Sequence, residues 1–170
     1  MNNECPRTSS LGAGLSLRAE APGDESLLFE LYASAREEEL ALTGWDIATR
    51  TAFLNMQFAA MRRGYRDMFP QGQFSILLAD GVPVGRMVLD RSTEELHLVD
   101  IVLLPAHRNR GIGTAVMKAL IEEAEQSRKP ISLQVLKNSR AVGFYRRLGF
   151  SKNADSGLYD NMEWRGVNCA

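Results

Sequence analysis

The chain has 170 residues, 45% hydrophobic and 24% charged, which is typical of one globular domain with a sizeable core. Its 20 Lys and Arg against 21 Asp and Glu give a net charge of -1, without the basic excess of a nucleic-acid-binding protein. No segment approaches the roughly 18 apolar residues that span a bilayer, and the N-terminus lacks a signal-peptide core, so we expect a cytoplasmic protein without nucleic-acid or membrane partners.

The two ends of the chain carry few structural signals. Residues 1–13 have no periodicity and are predicted to form a flexible tail, whereas residues 14–166 are predicted to form a single domain. Cys5 and Cys169 lie at opposite ends, which predicts two free thiols and neither a disulfide framework nor a metal site.

A first strand at Leu15–Arg18 is followed by a predicted helix that begins near Asp24 and ends near Leu42 to Gly44. The last turns of this helix contain Glu37-Glu38-Glu39, a run most simply interpreted as a solvated face. Glu38, however, follows Leu31 by seven residues and would share its face, so Glu38 is also a candidate catalytic carboxylate.

Helical spacing predicts a second helix from Asp46 to about Met68. Two strands, Phe74–Ala79 and Val82–Leu89, flank the Asp80-Gly81 dipeptide and predict a hairpin. The next strand, Leu96–Leu104, is aliphatic except for His97 and Asp100, and Pro105 ends it.

A basic, glycine-containing turn follows that strand and opens a helix. Gly111 and Gly113 let the backbone approach a ligand, and the first N–H groups of a helix have no intrahelical partner. Arg108 and Arg110 add donors suited to phosphate oxygens, so the turn predicts a phosphate or pyrophosphate site. Val116 occupies the place of the third glycine of a dinucleotide fingerprint, which argues against a nicotinamide-dependent oxidoreductase, and the P-loop ending is absent.

The helix after the turn leads to a strand at Ile131–Leu136, so strand, helix and strand form a predicted parallel crossover unit. An Asn138-Ser139 cap, a short helix and Gly149 follow. The segment Leu158 to Trp164 is the predicted last strand.

Two motifs in this region resemble those of the GNAT N-acetyltransferase superfamily. Arg108-x-x-Gly111-x-Gly113 resembles the family's acetyl-CoA-binding turn, and the run from Asn138 through Ala141, Phe144 and Tyr145 to Gly149-Phe150 resembles its C-terminal motif. The two motifs occur in the family's order, separated by one helix and one strand. The resemblance covers about residues 73 to 164.

The resemblance implies an α/β fold with a mixed, mostly antiparallel sheet of six to seven strands, about four flanking helices and a splayed strand pair that holds CoA. It implies acetyl-CoA as co-substrate and no metal. The implied CoA-binding residues lie on the strand, the turn and the short helix: Ile101, Val102, Leu103, Arg108, Asn109, Arg110, Gly111, Ile112, Gly113, Thr114, Asn138, Ala141, Phe144, Tyr145 and Arg147.

The activity that the resemblance implies is transfer of the acetyl group to a primary amine of a small molecule or peptide, by direct attack in a ternary complex. Tyr145 matches the family tyrosine that donates to the CoA sulfur, although a tyrosine on a short helix is also a common core residue. Asp100 interrupts an aliphatic strand and is either a base with a raised pKa or a structural carboxylate paired with an arginine. Strand alternation puts Asp100 on the face of Leu98 and Val102, unless a bulge of the kind common in this family resets it.

A second functional hypothesis is a non-catalytic acyl-CoA-binding module that serves as a sensor or interaction domain. The expected partners are acetyl-CoA and an amine acceptor, with a homodimer as an option. The acidic residues Glu37 to Glu39 and Asp46 hint at a cationic amine, but no motif identifies the acceptor.

Overall fold

The computed structural model describes residues 9–12 and 14–166; Cys5, Cys169 and most of the predicted tail lie outside them. The described chain is a mixed α/β domain. Its strands are β1 Ser9–Gly12, β2 Leu15–Ala19, β3 Gln73–Ala79, β4 Val82–Arg91, β5 Leu96–Leu103, β6 Ile131–Leu136, β7 Ser151–Ser156 and β8 Tyr159–Trp164. Its helices are α1 Glu25–Ser34, α2 Glu37–Ala41, α3 Ile47–Met68, α4 Ile112–Ser127 and α5 Arg140–Arg147.

All eight strands form one sheet in the order β1-β2-β3-β4-β5-β6-β8-β7, antiparallel except for the β5–β6 pair. Strand alternation sends Leu77 into a core shared with α4 and α5, and sends Ile76 and Leu78 into a second core shared with α1 and α3. Each sheet face is therefore covered by helices, and the buried strands are apolar on both faces.

The parallel pair separates soon after it begins. β5 and β6 pair only from Leu96–Ile131 to Leu98–Leu133. Beyond that point β5 stays paired with β4 as far as Leu103, while β6 stays paired with β8 as far as Leu136. The ladders on either side continue while the one between them stops, so a V-shaped gap opens in the middle of the sheet. This is the splayed strand pair that the resemblance implies.

A β-bulge lies at the start of the gap. Val88 pairs with Asp100 and Leu89 pairs with Leu98, which leaves Val99 as an extra residue in β5. Beyond the bulge, Ile101 and Leu103 pack on the α4 core, whereas Asp100 lies on the α1/α3 face. Of the two alternatives for Asp100, the bulge is the one found: it reverses the phase of the strand, so Asp100 shares a face with Val102 but not with Leu98.

Several predicted elements are confirmed, including the Asp80-Gly81 hairpin, whose two residues have φ of 48° and 79°. The long second helix is also confirmed, with the Asp46 side chain accepting from the Thr49 N–H at 2.7 Å. The strand Ile131–Leu136 and the parallel crossover between β5 and β6 stand as predicted.

Other predictions differ from the structure. The sheet has eight strands rather than six or seven, and the described residues form five α-helices rather than about four. Residues 9–12 of the predicted tail form an edge strand, and β7 has no counterpart in the sequence prediction because all six of its residues are exposed and lack an apolar pattern. Among the described residues, no helix is both long and apolar enough to cross a membrane.

The predicted first helix is divided in two. At the break the Arg36 N–H donates to the Ala33 carbonyl, three residues back, and the Arg36 side chain folds over the Tyr32 ring. Glu38 lies beyond this break in α2 and is exposed, so the argument that it shares the face of Leu31 no longer holds. A catalytic role for Glu38 stays a prediction.

Candidate active site

The N-terminus of α4 lies where the turn after β5 ends. Asn109 and Gly111 have left-handed backbone conformations, with φ of 58° and 80°, and Gly111 is the N-cap without a side-chain cap. The Ala115 N–H is the first that bonds within the helix, to the Gly111 carbonyl at 2.9 Å. The N–H groups of Ile112, Gly113 and Thr114 therefore have no intrahelical partner and can serve an anion.

The two arginines of the turn have different surroundings. The Arg108 Nε donates to the Leu103 carbonyl at 2.9 Å, and its Nη2 donates to the Ser34 hydroxyl at 2.9 Å. Arg108 thus ties the end of β5 to α1, and only its remaining donors could reach a ligand. Arg110 lies beside Gly111 and Ile112 in an open groove of about 550 Å³.

The edge of β5 along the gap has free backbone groups. The Leu104 N–H donates to the Val84 carbonyl at 2.9 Å, which sets the phase of the β4–β5 ladder. Because hydrogen-bonded and non-hydrogen-bonded pairs alternate in an antiparallel ladder, we infer that Ile101 and Leu103 turn their backbone groups toward the gap. By the same alternation, Val102 turns its backbone groups toward β4, and its side chain lies on the α1/α3 face.

Helix α5 lies next to the start of α4. The Ser139 hydroxyl caps α5 by accepting from the Ala141 N–H at 3.1 Å, and the preceding Asn138 is exposed. A Cβ at Gly113 would lie 3.7 Å from the ring of Phe144, so the second motif packs against the first. Arg147 is exposed on the last turn of α5.

Tyr145 is 7% exposed, and its ring centroid lies 5.2 Å from that of Phe144 and 5.6 Å from that of Phe150. Burial, and to a smaller extent the negative charge of Asp100, raises the pKa of Tyr145 to about 12. Its hydroxyl forms no hydrogen bond within the described chain, yet it is not among the fully buried unpaired atoms. The phenol is therefore protonated at neutral pH and has a donor to offer.

Asp100 accepts a hydrogen bond from Nη2 of Arg86, and the two form an ion pair. The Asp100 side chain is 25% exposed and that of Arg86 is 5% exposed. The structure shows the ion pair with an arginine, which is one of the two alternatives for Asp100; a role as base stays a prediction. Asp100 immediately precedes Ile101, whose backbone groups face the gap, and its negative charge raises the pKa of both Tyr65 and Tyr145.

Sequence reasoning missed Arg86 and Tyr65. Arg86 interrupts the apolar strand β4, and that interruption is a signal of the same kind as the one that drew attention to Asp100. Tyr65 lies in α3, where helical spacing predicts the element but no function. Burial and the charge of Asp100 raise its pKa, with Arg86 and Arg36 acting in the opposite direction.

A larger groove, of about 750 Å³, lies between β1 and α4 and contains none of the predicted site residues. It is polar and lined by residues such as Arg91 and Glu123, which form an ion pair at 2.6 Å. Residues 9–12 and 14–166 contain no group of three His, Cys, Asp or Glu side chains arranged to hold a metal ion.

A split parallel strand pair beside an uncapped helix N-terminus defines a fold shared with many solved acetyltransferases. The chain is similar to the PaiA N-acetyltransferase of Thermoplasma acidophilum in complex with coenzyme A, with a TM-score of 0.66 and 18% identity over 89% of this chain and 99% of that one. It is similar to an acetyltransferase of Thermus thermophilus, with a TM-score of 0.64 and 18% identity over 89% of this chain and 97% of that one. At this identity the likeness shows the fold.

The sequence comparisons show the family. Residues 30–150 match the model of the acetyltransferase (GNAT) family, and the chain belongs to that family. The chain is 36% identical over 90 residues to an uncharacterized N-acetyltransferase of Methanocaldococcus jannaschii, covering 46% of this chain and 39% of the relative. It is 32% identical over 126 residues to glucosamine 6-phosphate N-acetyltransferase 1 of Oryza sativa subsp. japonica, covering 74% of this chain and 66% of the relative.

Proposed function

We propose that this chain is an acetyl-CoA-dependent N-acetyltransferase that acetylates a primary amine by direct attack in a ternary complex. The observation that carries the proposal is the end of β5–β6 pairing at Leu98–Leu133, beside a helix N-terminus whose first N–H groups are free. In acetyl-CoA the arm that carries the thioester is joined to a pyrophosphate. A binding site for it therefore needs a gap for the arm beside a helix N-terminus for the pyrophosphate. The family match and the coenzyme A complex of the PaiA relative support the same donor.

The described residues fit such a donor. The N–H groups of Ile112, Gly113 and Thr114 would hold the pyrophosphate, with Arg110 adding charge from the open groove. The inward-facing backbone groups of Ile101 and Leu103 would pair with the amide groups of the arm. Because the Leu103 carbonyl already accepts from Arg108, its N–H is the group left for the ligand.

Acetyl transfer requires a proton for the leaving thiolate and a base that converts the acceptor ammonium into a neutral amine. Acetyl-CoA supplies the acyl group, and transfer to nitrogen breaks the C–S bond and leaves a thiolate. Tyr145 would pass its phenolic proton to that sulfur and would regain one, directly or through water, from the nitrogen, which loses its second proton as the amide forms; the pKa of about 12 keeps the phenol protonated between turnovers. Asp100, held by Arg86, would accept a proton from the acceptor ammonium directly or through water.

The acceptor would enter from the α1/α3 face, where Asp100 and Val102 present their side chains. The rice relative is named for an amino sugar phosphate, so glucosamine 6-phosphate belongs in any acceptor panel. A homodimer and a cytoplasmic location stay predictions.

The deciding experiment combines calorimetry with acetyl-CoA and a thiol-release assay over a panel of amines. The proposal predicts binding together with CoA release that depends on one class of amine. Binding without turnover on any amine would support the acyl-CoA-binding module instead. Failure to bind acetyl-CoA would overturn both functions.

Tyr145→Phe tests the assigned acid. Phenylalanine keeps the ring contacts with Phe144 and Phe150, so the melting temperature and the Kd for acetyl-CoA should change little. Loss of the proton donor should lower kcat by roughly 100-fold, within the range usual for general acids. Wild-type turnover in this variant with an accepted amine would contradict the role of Tyr145.

A further inference from the structure

A small cavity lies against the sheet face that α1 and α3 cover. It has a volume of about 70 Å³, and its polar lining consists of Tyr32, Arg36, Tyr65, Arg86 and Asp100. Apolar side chains of α1, α3 and β5, together with Ala35, close the remaining walls. Its charged lining is therefore two guanidinium groups and one carboxylate.

Arg86 leaves one donor unused in this cavity. The residue is 4% exposed, and its Nη2 is engaged by Asp100 and lies 3.8 Å from the Met61 sulfur. Its Nε is buried and has no hydrogen-bond partner among the described atoms. A buried, charged donor without a partner is costly, and in native proteins such a group is usually satisfied by a water or a ligand.

The cavity also carries an excess positive charge. Arg86 and Asp100 neutralise each other, whereas no described carboxylate pairs with Arg36. The Arg36 guanidinium carbon lies 3.8 Å from the centroid of the Tyr32 ring, and its Nη1 has only a long contact of 3.5 Å with the Tyr32 carbonyl. The Tyr65 hydroxyl forms no hydrogen bond within the described chain. Arg36, Arg86 and Tyr65 therefore line the same cavity, and each has a donor that no described acceptor satisfies.

The cavity lies beside the place of acetyl transfer under the proposed function. Asp100 and Val102 line it, and they flank Ile101, whose backbone groups face the gap. An acceptor bound in the cavity would lie next to this stretch of β5, so its amine could reach the gap.

We propose that this cavity binds a carboxylate of the acceptor, so that the amine acetylated by this chain is an amino carboxylic acid. The proposal rests on the proposed function. With two guanidinium groups and one carboxylate in its lining, the cavity has one net positive charge, which matches a singly charged carboxylate better than a doubly charged phosphate ester. Two guanidinium groups and a phenol supply the donors that carboxylate oxygens accept.

The first test compares acceptors that differ only in this group. With acetyl-CoA, amino carboxylic acids of increasing chain length are paired with their carboxamides, and glucosamine 6-phosphate is paired with glucosamine. We expect kcat/KM to favour one acid over its amide by at least roughly tenfold, the value of one charged hydrogen bond. Equal use of acid and amide would overturn the proposal, as would a preference confined to the phosphate pair.

The second test assigns the preference to Arg36. Arg36→Gln should raise KM for the acid, leave KM for the amide and kcat nearly unchanged, and reduce the acid-to-amide preference by roughly tenfold. Arg36→Lys should restore part of it. Arg63→Gln, on an exposed residue of α3 outside the cavity, is the matched control and should keep the preference. An equal loss for acid and amide in Arg36→Gln would contradict a carboxylate contact.

A third measurement needs no turnover. The Arg86 Nε–H resonance is followed by nitrogen-15 NMR during titration with acetate and, separately, with acetamide. Acetate should shift the resonance, acetamide should not, and Arg36→Gln should weaken the response. No response to acetate would mean that the cavity holds only water and would overturn the proposal. If no amine is acetylated but acetate still shifts the resonance, the proposed function fails while the carboxylate site stands.

Discussion

Arg86 carries a buried positive charge, and its ion-pair partner among the described residues is Asp100. Arg86 lies in β4 between buried apolar residues and cannot reach bulk water. Asp100 is more exposed, so its charge is solvated on one side and paired on the other. The pair fixes the direction of the carboxylate, which the bulge at Val99 has turned toward the α1/α3 face.

Removing Asp100 alone should therefore destabilise the fold strongly. Asp100→Asn leaves the buried guanidinium of Arg86 without its anion, and breaking a buried pair in this way costs about 3 kcal/mol. Urea unfolding at neutral pH measures this loss. The double variant Arg86→Met with Asp100→Asn should recover part of it, because no unpaired charge then remains.

The matched control is the exposed pair of Arg91 with Glu123, whose Nε–Oε1 distance is 2.6 Å. Exposed pairs contribute about 1 kcal/mol or less, so Glu123→Gln should cost far less than Asp100→Asn. Similar losses in the two variants would show that the Arg86 pair is not the buried interaction described here.

At the scale of elements, the confirmed predictions are those that depend on local sequence signals. Gly111 before an apolar helix, the Asp80-Gly81 turn and the Ser139 cap each specify backbone conformation within a few residues, and each is confirmed. The parallel crossover followed from the order of strand, helix and strand. The gap between β5 and β6 came only from the family resemblance, because pairing length depends on both neighbouring ladders.

The remaining features depend on contacts between distant segments. The sequence gives no direct mark of the bulge at Val99, yet one extra residue decides which face Asp100 occupies. Arg108 looked like a phosphate ligand, but its Nη2 donates to Ser34, 74 residues earlier in the chain.

Gly85 lies in β4 and pairs with Leu103 of β5, the strand that borders the gap. A Cβ at this position would lie 2.5 Å from the Val102 carbonyl oxygen and 2.7 Å from Cδ2 of Leu103. Gly85→Ala should push β4 and β5 apart, lower the free energy of unfolding by about 1–3 kcal/mol and weaken acetyl-CoA binding at Leu103. Chemical denaturation and calorimetry measure the two effects.

Gly64→Ala provides the comparison, since a Cβ there meets nothing within 4 Å inside helix α3. That substitution should raise stability by about 0.5–1 kcal/mol and leave acetyl-CoA binding unchanged. Unaltered stability in Gly85→Ala would mean that the strands can separate locally without cost, contrary to the close contact.

At the scale of the whole molecule, the gap joins the two cores. The α4 and α5 core carries the helix N-terminus and Tyr145, whereas the α1 and α3 core carries the cavity with Arg86. Under the proposed function the donor would bind from one face of the sheet and the acceptor from the other. Neither half of the domain holds both substrates, so ligand binding should stabilise the molecule as a unit.

Acetyl-CoA should therefore raise the melting temperature of the entire domain. At 100 times Kd a ligand specific for the native state adds about 2.7 kcal/mol, which corresponds to a rise of about 5–10 °C for a chain of this size. Hydrogen exchange should locate the effect: the amides of Ile101, Leu103 and Gly113 should slow markedly, while the Val102 amide, which faces β4, should be protected with or without the ligand. A rise in melting temperature with unchanged exchange at Ile101 and Leu103 would place acetyl-CoA outside the gap, and fast exchange at Val102 would contradict the ladder phase on which the pairing of the arm depends.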